Sequence, residues 1–270
     1  MIRKIALKDR FQTAASIARK VGTSHDIEVS RKTVSRRLNE IGLFARSPVK
    51  KPLISNKNKK LRLSFAQTHV LWTEEQWQNV FFSDESKFNL FGSDGNNFVR
   101  RFSGERLDKK CTKKTVKFGG GSVMVFGMMS AQGTGDLVRL NTRVNGTIYK
   151  NVLKDHVIPI LRNSECEKPI FMQDNAPCHK AKHVMEFLKE QNVDVLDWPP
   201  QSPDLNPIEN LWYTLGKKVS ARNPTDTEDL WKKLKEEWSK ISREDCRRLI
   251  QSCSRRCAAV IQNKGLFTKY

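Results

Sequence analysis

Two aspartates close two apolar runs: Asp84 follows Val80, Phe81, Phe82 and Ser83, and Asp174 follows Ile170, Phe171, Met172 and Gln173. Short runs of this kind predict strands. Both carboxylates are therefore expected at strand ends, where neighbouring strands lie about 4.8 Å apart. Glu209 stands in the first turn of a helix expected after SPDLNP, from which its side chain can project back towards the same edge. Three converging carboxylates repel one another unless cations lie between them. Hard divalent ions such as Mg²⁺ prefer oxygen ligands and keep several waters. Two such ions about 3.5–4 Å apart stabilise both the attacking and the leaving oxygen of a phosphoryl transfer. For any one of these acids taken singly, helix capping or surface charge would be the better reading.

A second cluster competes for attention. Cys178, His179 and His183 sit together, as they might around zinc, but lack a fourth ligand at finger-like spacing. Asp174 is the stronger candidate. His179 and His183, four apart, are expected to share a helix face behind the carboxylate edge. Glu85 and Asp94 read as local structure, and the tryptophans as core. Six cysteines without a CxxC pair or a secretory context fit free thiols, with Cys253 and Cys257 on the apolar stripe of Leu249 and Val260.

Charge narrows the partner. The chain has 270 residues and a formal net charge of +20, which points to a polyanion. Residues 1–65 hold 17 Lys/Arg against Asp9, Asp26, Glu28 and Glu40, leaving about +7 for the remainder. No apolar run of roughly 18 residues occurs, which excludes a membrane-spanning helix. The start, MIRKIALKDRF, lacks the apolar stretch of a secretory signal.

The basic N-terminal part has a helical pattern. Ala14, Ile17, Ala18 and Val21 fall on one helix face. Ser30 is the expected N-cap of a second helix whose buried stripe is Val34, Leu38 and Ile41. Arg31, Lys32, Ser35, Arg36 and Arg37 are left outward, as on a helix that enters the major groove. The segment 46–60, RSPVKKPLISNKNKK, reads as a basic linker whose charge also suits a nuclear import signal. The domains expected are a helix-turn-helix over 1–46, a basic linker and connecting helix over 47–75, and a catalytic domain over 76–270.

The elements that must position the carboxylates begin at residue 79. NVFFSDESKFNLF and NNFVRRF, joined by the turn-rich stretch from Gly92 to Gly95, suggest a hairpin, and GGGSVMVFGMMS a strand buried on both faces. A helix is expected from about Ile148 to Leu161, then the strand PIFMQD, a helix through about Lys189 and the short strand DVLDW. PIENLWYTLGKKVS reads as a helix with Asn206 as N-cap and Pro207 first. Thr225 and Glu228 fit a capping box, and a last helix carries Leu249, Cys253, Cys257 and Val260. The order describes an α/β sheet with helices packed on it.

SDESKFNLFGSDG, GGGSVMVFG, QDNAPCHKAK, DVLDWPPQSPDLNPIENLW and the closing KG-xx-TKY resemble, in that order, transposases of the Tc/mariner superfamily. The resemblance runs through nearly the whole chain. Between Asp174 and Glu209 lie 34 residues, the spacing of the family's second Asp and its Glu. It implies a ribonuclease-H-like α/β fold, a mixed sheet flanked by helices, behind a small all-α helix-turn-helix domain. It implies that Asp84, Asp174 and Glu209 form a D,D,E catalytic and metal-binding triad, with neither Asp197 nor Asp204 among the ligands. The implied cofactor is Mg²⁺, with Mn²⁺ able to substitute and two ions in the site.

The implied activity is cut-and-paste transposition in the nucleus. Water hydrolyses a phosphodiester at each transposon end, and the freed 3′-hydroxyl then attacks target DNA at a TA dinucleotide. Partners are double-stranded DNA, as terminal inverted repeats and as target, and a second protomer in a homodimer, with no membrane. Residues 103–121 fall where mariner-type enzymes carry a loop that reaches the second protomer. There Lys113, Lys114 and Lys117, with Arg106, Lys109 and Lys110, would also suit a DNA phosphate track.

One departure from the family is expected. Members carry two helix-turn-helix units, whereas Met1 here falls inside what should be the first helix of the second, so the first unit is expected to be lacking. That leaves a rival from another class: a truncated or domesticated remnant that binds DNA without cutting it. Three mutually repelling carboxylates have no physical reason to persist at a retired site, which argues against the remnant. A ribonuclease H or other nuclease of the same fold fits SPDLNPIENLW less well.

Overall fold

A computed structural model describes residues 1–25, 27–46, 53–90, 120–140 and 144–270. The chain divides into two compact units, Met1–Pro52 and Leu53–Tyr270.

The first unit holds three helices, α1 (Ile2–Lys8), α2 (Ala14–His25) and α3 (Arg31–Glu40). Ala6, Ile17, Val21 and Val34 meet in its small core, with Leu38 half-buried against them. Ser30 caps α3 by accepting the Thr33 N–H at 3.1 Å. Ile41 departs from expectation and is exposed. The helix has already ended there: Gly42 takes φ +76° and the Leu43 N–H closes back on the Leu38 carbonyl, a C-terminal turn that carries Ile41 off the apolar stripe. Arg31, Lys32, Ser35, Arg36 and Arg37 are all exposed, with Arg37 paired to Glu40 at 2.8 Å.

The second unit opens with α4 (Asn56–His69) and α5 (Glu74–Gln78), then builds a mixed sheet. Its strands are β1 (Val80–Asn89), β2 (Ser122–Ser130), β3 (Gly133–Thr134), β4 (Val138–Leu140), β5 (Ile170–Met172) and β6 (Asp194–Val195). β2 runs antiparallel to β1, β3 and β4, while β5 is parallel to both β1 and β6. The strand expected at NNFVRRF, its turn, Asp94 and the cationic stretch around Lys113, Lys114 and Lys117 lie outside the described residues.

Strand alternation divides the core between the two sheet faces. Phe81, Phe126, Met128 and Phe171 pack on one face against α6 (Gly146–Val152), the π-helical turn Leu153–Val157, α7 (Ile158–Arg162) and α8 (Lys182–Glu190). Val80, Phe82, Val125, Met129 and Met172 pack on the other, against α4, α9 (Ile208–Ala221), α10 (Thr227–Trp238), α11 (Arg243–Ile250) and α12 (Cys253–Gln262). The result is an α/β/α sandwich, as the periodicity of the sequence predicts.

Three local details differ from expectation. Asp226, not Thr225, caps α10, because its carboxylate accepts the N–H groups of both Glu228 and Asp229 at 2.9 Å. The expected last helix is two, since Ser252 turns the chain by donating its hydroxyl to the Leu249 carbonyl and accepting from Arg256 Nε. Cys253, Cys257 and Val260 are buried on α12 as expected, and Leu249 belongs to α11. Asn206 does accept the Ile208 N–H at 3.3 Å, although the helix proper begins at Ile208.

Candidate active site

β1 and β5 run parallel with Phe82 level with Met172. Asp84, within β1, shares parity with Val80 and Phe82 and so points to the sheet face covered by α9. Asp174 follows two residues after the end of β5. Glu209 enters from the first turn of α9. Asn206 ties the two parts together, donating to the Ser83 carbonyl at 3.4 Å while it accepts from Ile208.

The electrostatics confirm that the carboxylates are neighbours. Asp84 titrates well above the usual carboxylate range, first because burial desolvates it and then because Glu209, Glu85 and Asp174 repel its negative charge. Burial also raises Glu209. Asp174 is lowered: burial works against ionisation, but His179, the Ala176 N–H and Lys180 outweigh it. Trp212 Nε1 donates to Asp84 Oδ2 at 3.2 Å.

His179 corrects one expectation. It lies in the turn before α8 and not on a helix face with His183. Its Nδ1 stands 2.7 Å from Asp174 Oδ1 and its Nε2 3.2 Å from Glu85 Oε1. The ring is buried and stacks on Tyr149, whose hydroxyl donates to Gln173 Oε1 at 2.8 Å. Burial opposes its charge, but the two carboxylates overcome this and raise its pKa to about 10. Glu85, read from sequence as local structure, is thus half of a charged clamp. Sequence reasoning missed the clamp and the Trp212 contact; only the proximity of QDNAPCH to the strand end hinted at the first.

Carboxylate oxygens such as those of half-buried Asp84 and Glu209 and exposed Asp174 suit a hard divalent cation. Among the described residues, however, no set of three His, Cys, Asp or Glu side chains is drawn together tightly enough to hold a metal ion as it stands. Asp84, Asp174 and Glu209 are the residues whose oxygen donors would suit such an ion.

Gly127 lies opposite Asp84 on β2. A Cβ there would come within 2.5 Å of the Trp212 ring and 3.0 Å of Trp238. Gly127→Ala is expected to cost about 2 kcal/mol by overpacking and to push Trp212 off Asp84. Urea unfolding together with tryptophan emission checks both.

Comparison with known proteins identifies the family and the fold. Residues 79–231 match the DDE superfamily endonuclease family, and residues 1–71 match a transposase family of the Tc3 helix-turn-helix type. The Tc1 transposase of Caenorhabditis elegans is 40% identical over 100% of this chain and 98% of its own. The Tcb2 transposase of Caenorhabditis briggsae is 39% identical over 99% of this chain and 98% of its own. The fold matches the pre-cleavage Mos1 transpososome with a TM-score of 0.82 at 21% identity, covering 99% of this chain and 79% of that one. Mos1 paired-end complexes solved with Mn and with Mg match with a TM-score of 0.81 each, at 20% and 21% identity and with the same coverage.

The helix-turn-helix match shows this element present, as expected over 1–46, and does not bear out the expected lack of a unit; the match extends past residue 46 through α4. With a DDE endonuclease domain behind a Tc3-type helix-turn-helix, the chain belongs to the Tc1/mariner family of transposases.

Proposed function

We propose that this chain is a cut-and-paste DNA transposase in which Asp84, Asp174 and Glu209 hold two Mg²⁺ ions, with Mn²⁺ able to replace them. The observation that carries the reading is the placement of Asp84 within β1 and of Asp174 just past the end of the adjacent parallel strand β5, with Glu209 in the first turn of α9, in a chain that aligns end to end with the Tc1 transposase. When bound, such ions activate water or a 3′-hydroxyl and neutralise charge on the scissile phosphate.

The protein's own part is to orient. Trp212 holds one Asp84 oxygen, Asn206 fixes the entry of α9, and His179 with Glu85 sets the angle of Asp174. No covalent enzyme–DNA intermediate is expected. Hydrolysis at each transposon end and transfer of the freed 3′-hydroxyl to a TA site are both in-line displacements at one set of carboxylates. The protein works in the nucleus as a homodimer, because two ends must be cut together. The domain roles are a helix-turn-helix over 1–46, a linker and connecting helix over 47–75 and a catalytic domain from 76 onward. Arg31, Lys32, Ser35, Arg36 and Arg37 supply end recognition, and Lys113, Lys114 and Lys117 a phosphate track.

Purified protein incubated with Mg²⁺, DNA carrying its element's inverted repeats and a target plasmid tests this. Metal-dependent nicks at the repeat ends and joints at TA, both lost in Asp174→Ala, are the expected products. Binding without cleavage would instead identify a DNA-binding remnant. The helix-turn-helix part has its own test. Arg31→Ala combined with Arg36→Ala is expected to weaken repeat binding and to reduce the slope of log affinity against log salt by about 2, roughly 0.9 per lost phosphate contact. Fluorescence anisotropy at several salt concentrations measures that slope.

A further inference from the structure

The closing motif KG-xx-TKY has no part in the chemistry above, yet its residues reach the loop that launches Glu209. Asp204, buried in that loop, receives Arg62 of α4 as a two-pronged ion pair, both bonds 2.8 Å. Its Oδ2 also accepts the Thr268 N–H at 2.9 Å and the Thr268 hydroxyl at 3.0 Å. Arg62 is fully buried and donates further to the carbonyls of Gly265 and Gln201 and to the Ser202 hydroxyl, at 3.0, 2.9 and 2.8 Å.

A second buried arginine, Arg256 of α12, donates to the Asp204 carbonyl at 2.9 Å and to the side chain of Asn210, the residue after Glu209. Rings of the closing segment cover both guanidiniums, Phe267 at 5.1 Å from Arg62 and Tyr270 at 4.8 Å from Arg256. Gly265 makes the fit possible. Its φ is +82°, and a Cβ would stand 2.3 Å from the Lys59 carbonyl oxygen.

A buried ion pair is a poor way to gain stability, because desolvation offsets most of the attraction. What a bidentate guanidinium–carboxylate pair adds is fixed geometry. Here the geometry belongs to the Ser202–Pro207 loop, whose far end binds the Ser83 carbonyl beside Asp84 through Asn206.

We propose that Arg62, Asp204 and Thr268 form a buried lock, closed by Gly265–Tyr270, that positions Glu209 against Asp84. Its effect on metal binding rests on the reading of Glu209 as a ligand. These are positioning residues, since none touches the reacting atoms.

The test uses the full chain with Arg62→Met and Asp204→Leu combined, which removes both charges together and leaves neither unpaired. Melting is expected to fall with the fold retained, because the Thr268 N–H and the Gly265 and Gln201 carbonyls lose their partners. Hydrogen exchange of the Leu205, Asn206 and Asn210 amides is expected to rise at least about tenfold, Mn²⁺ affinity to fall about tenfold, and end cleavage to fall about thirtyfold at unchanged DNA affinity. Parental exchange and parental Mn²⁺ affinity in a folded double variant would overturn the lock.

Should the double variant not fold, Thr268→Val removes the hydroxyl that donates to Asp204 and accepts the Tyr270 N–H, and leaves the ion pair. It is expected to raise the same exchange rates about threefold with an unchanged melting point, and parental rates there would likewise overturn the lock. Exchange is independent of catalysis. A parent chain that binds no Mn²⁺ would remove the ligand role of Glu209, while the exchange comparison would still decide whether the loop is held as proposed.

Discussion

Asp84→Asn is expected to lower the rate of transposon-end cleavage by about 10³-fold or more, and at the same time to make the metal-free protein more stable at neutral pH. The two effects have one cause. Asp84 is half-buried and faces the negative charges of Glu209, Glu85 and Asp174, which raises its folded pKa well above the usual carboxylate range. A raised carboxylate costs stability as pH climbs from the unfolded value, near 4, through the folded one. The asparagine variant does not carry that cost. Its advantage should be present at pH 7–8 and should vanish below about pH 4.

Divalent ions reverse the comparison. Mg²⁺ or Mn²⁺ should raise the melting temperature of the parent by mass action and leave the variant nearly unmoved. Melting curves across pH with and without Mn²⁺, beside single-turnover cleavage, check all three parts. A variant that cut DNA at the parental rate would remove Asp84 from the site.

His179→Ala carries the second large effect. The imidazolium lies between Asp174 and Glu85, so its loss leaves a buried carboxylate without its partner. The cost is expected to be about 2 kcal/mol, below the range for a fully buried pair because the Asp174 side chain is 52% exposed. Its sign with pH is opposite to that of Asp84. His179 gains a raised folded pKa of about 10, so its contribution is complete below the unfolded value of about 6.5 and fades as pH rises through the folded one. The difference between parent and variant in urea unfolding should therefore be large at pH 6 and small above pH 10. Cleavage should also fall by about 10–100-fold, the usual consequence of removing a group that orients a metal ligand.

The parts of the site that were legible in the sequence are those that local rules govern. The apolar run before Asp174 does specify a strand end, and the helix start after SPDLNP specifies where Glu209 emerges. β1, however, continues through Asp84 to Asn89, because antiparallel pairing with β2 carries the strand past the polar SDES. The triad as a set needed the family resemblance, since spacing alone leaves each acid open to a structural role. What was not legible depends on long-range packing. His179 and His183 have helical spacing, but the turn at Pro177–Lys180 holds His179 beneath Asp174 because two carboxylates on different strands attract it. Trp212 reads as an ordinary core residue, and only the crossing of α9 over β1 brings its N–H to Asp84. Ser252 breaks the expected last helix through side-chain bonds that compete with the backbone ladder. Asp204 was read as lying outside the ligand set, and its pairing with Arg62, 142 positions away, has no local signature.

Anomalous diffraction from crystals of the chain grown with Mn²⁺ and end DNA tests the central claim most directly. Manganese peaks bridged by Asp84, Asp174 and Glu209, with carboxylate oxygens at roughly 2.0–2.3 Å and His179 still joined to Glu85, are the expected result. Manganese bound elsewhere while these three carboxylates remain unliganded, in crystals whose DNA is cut, would contradict it.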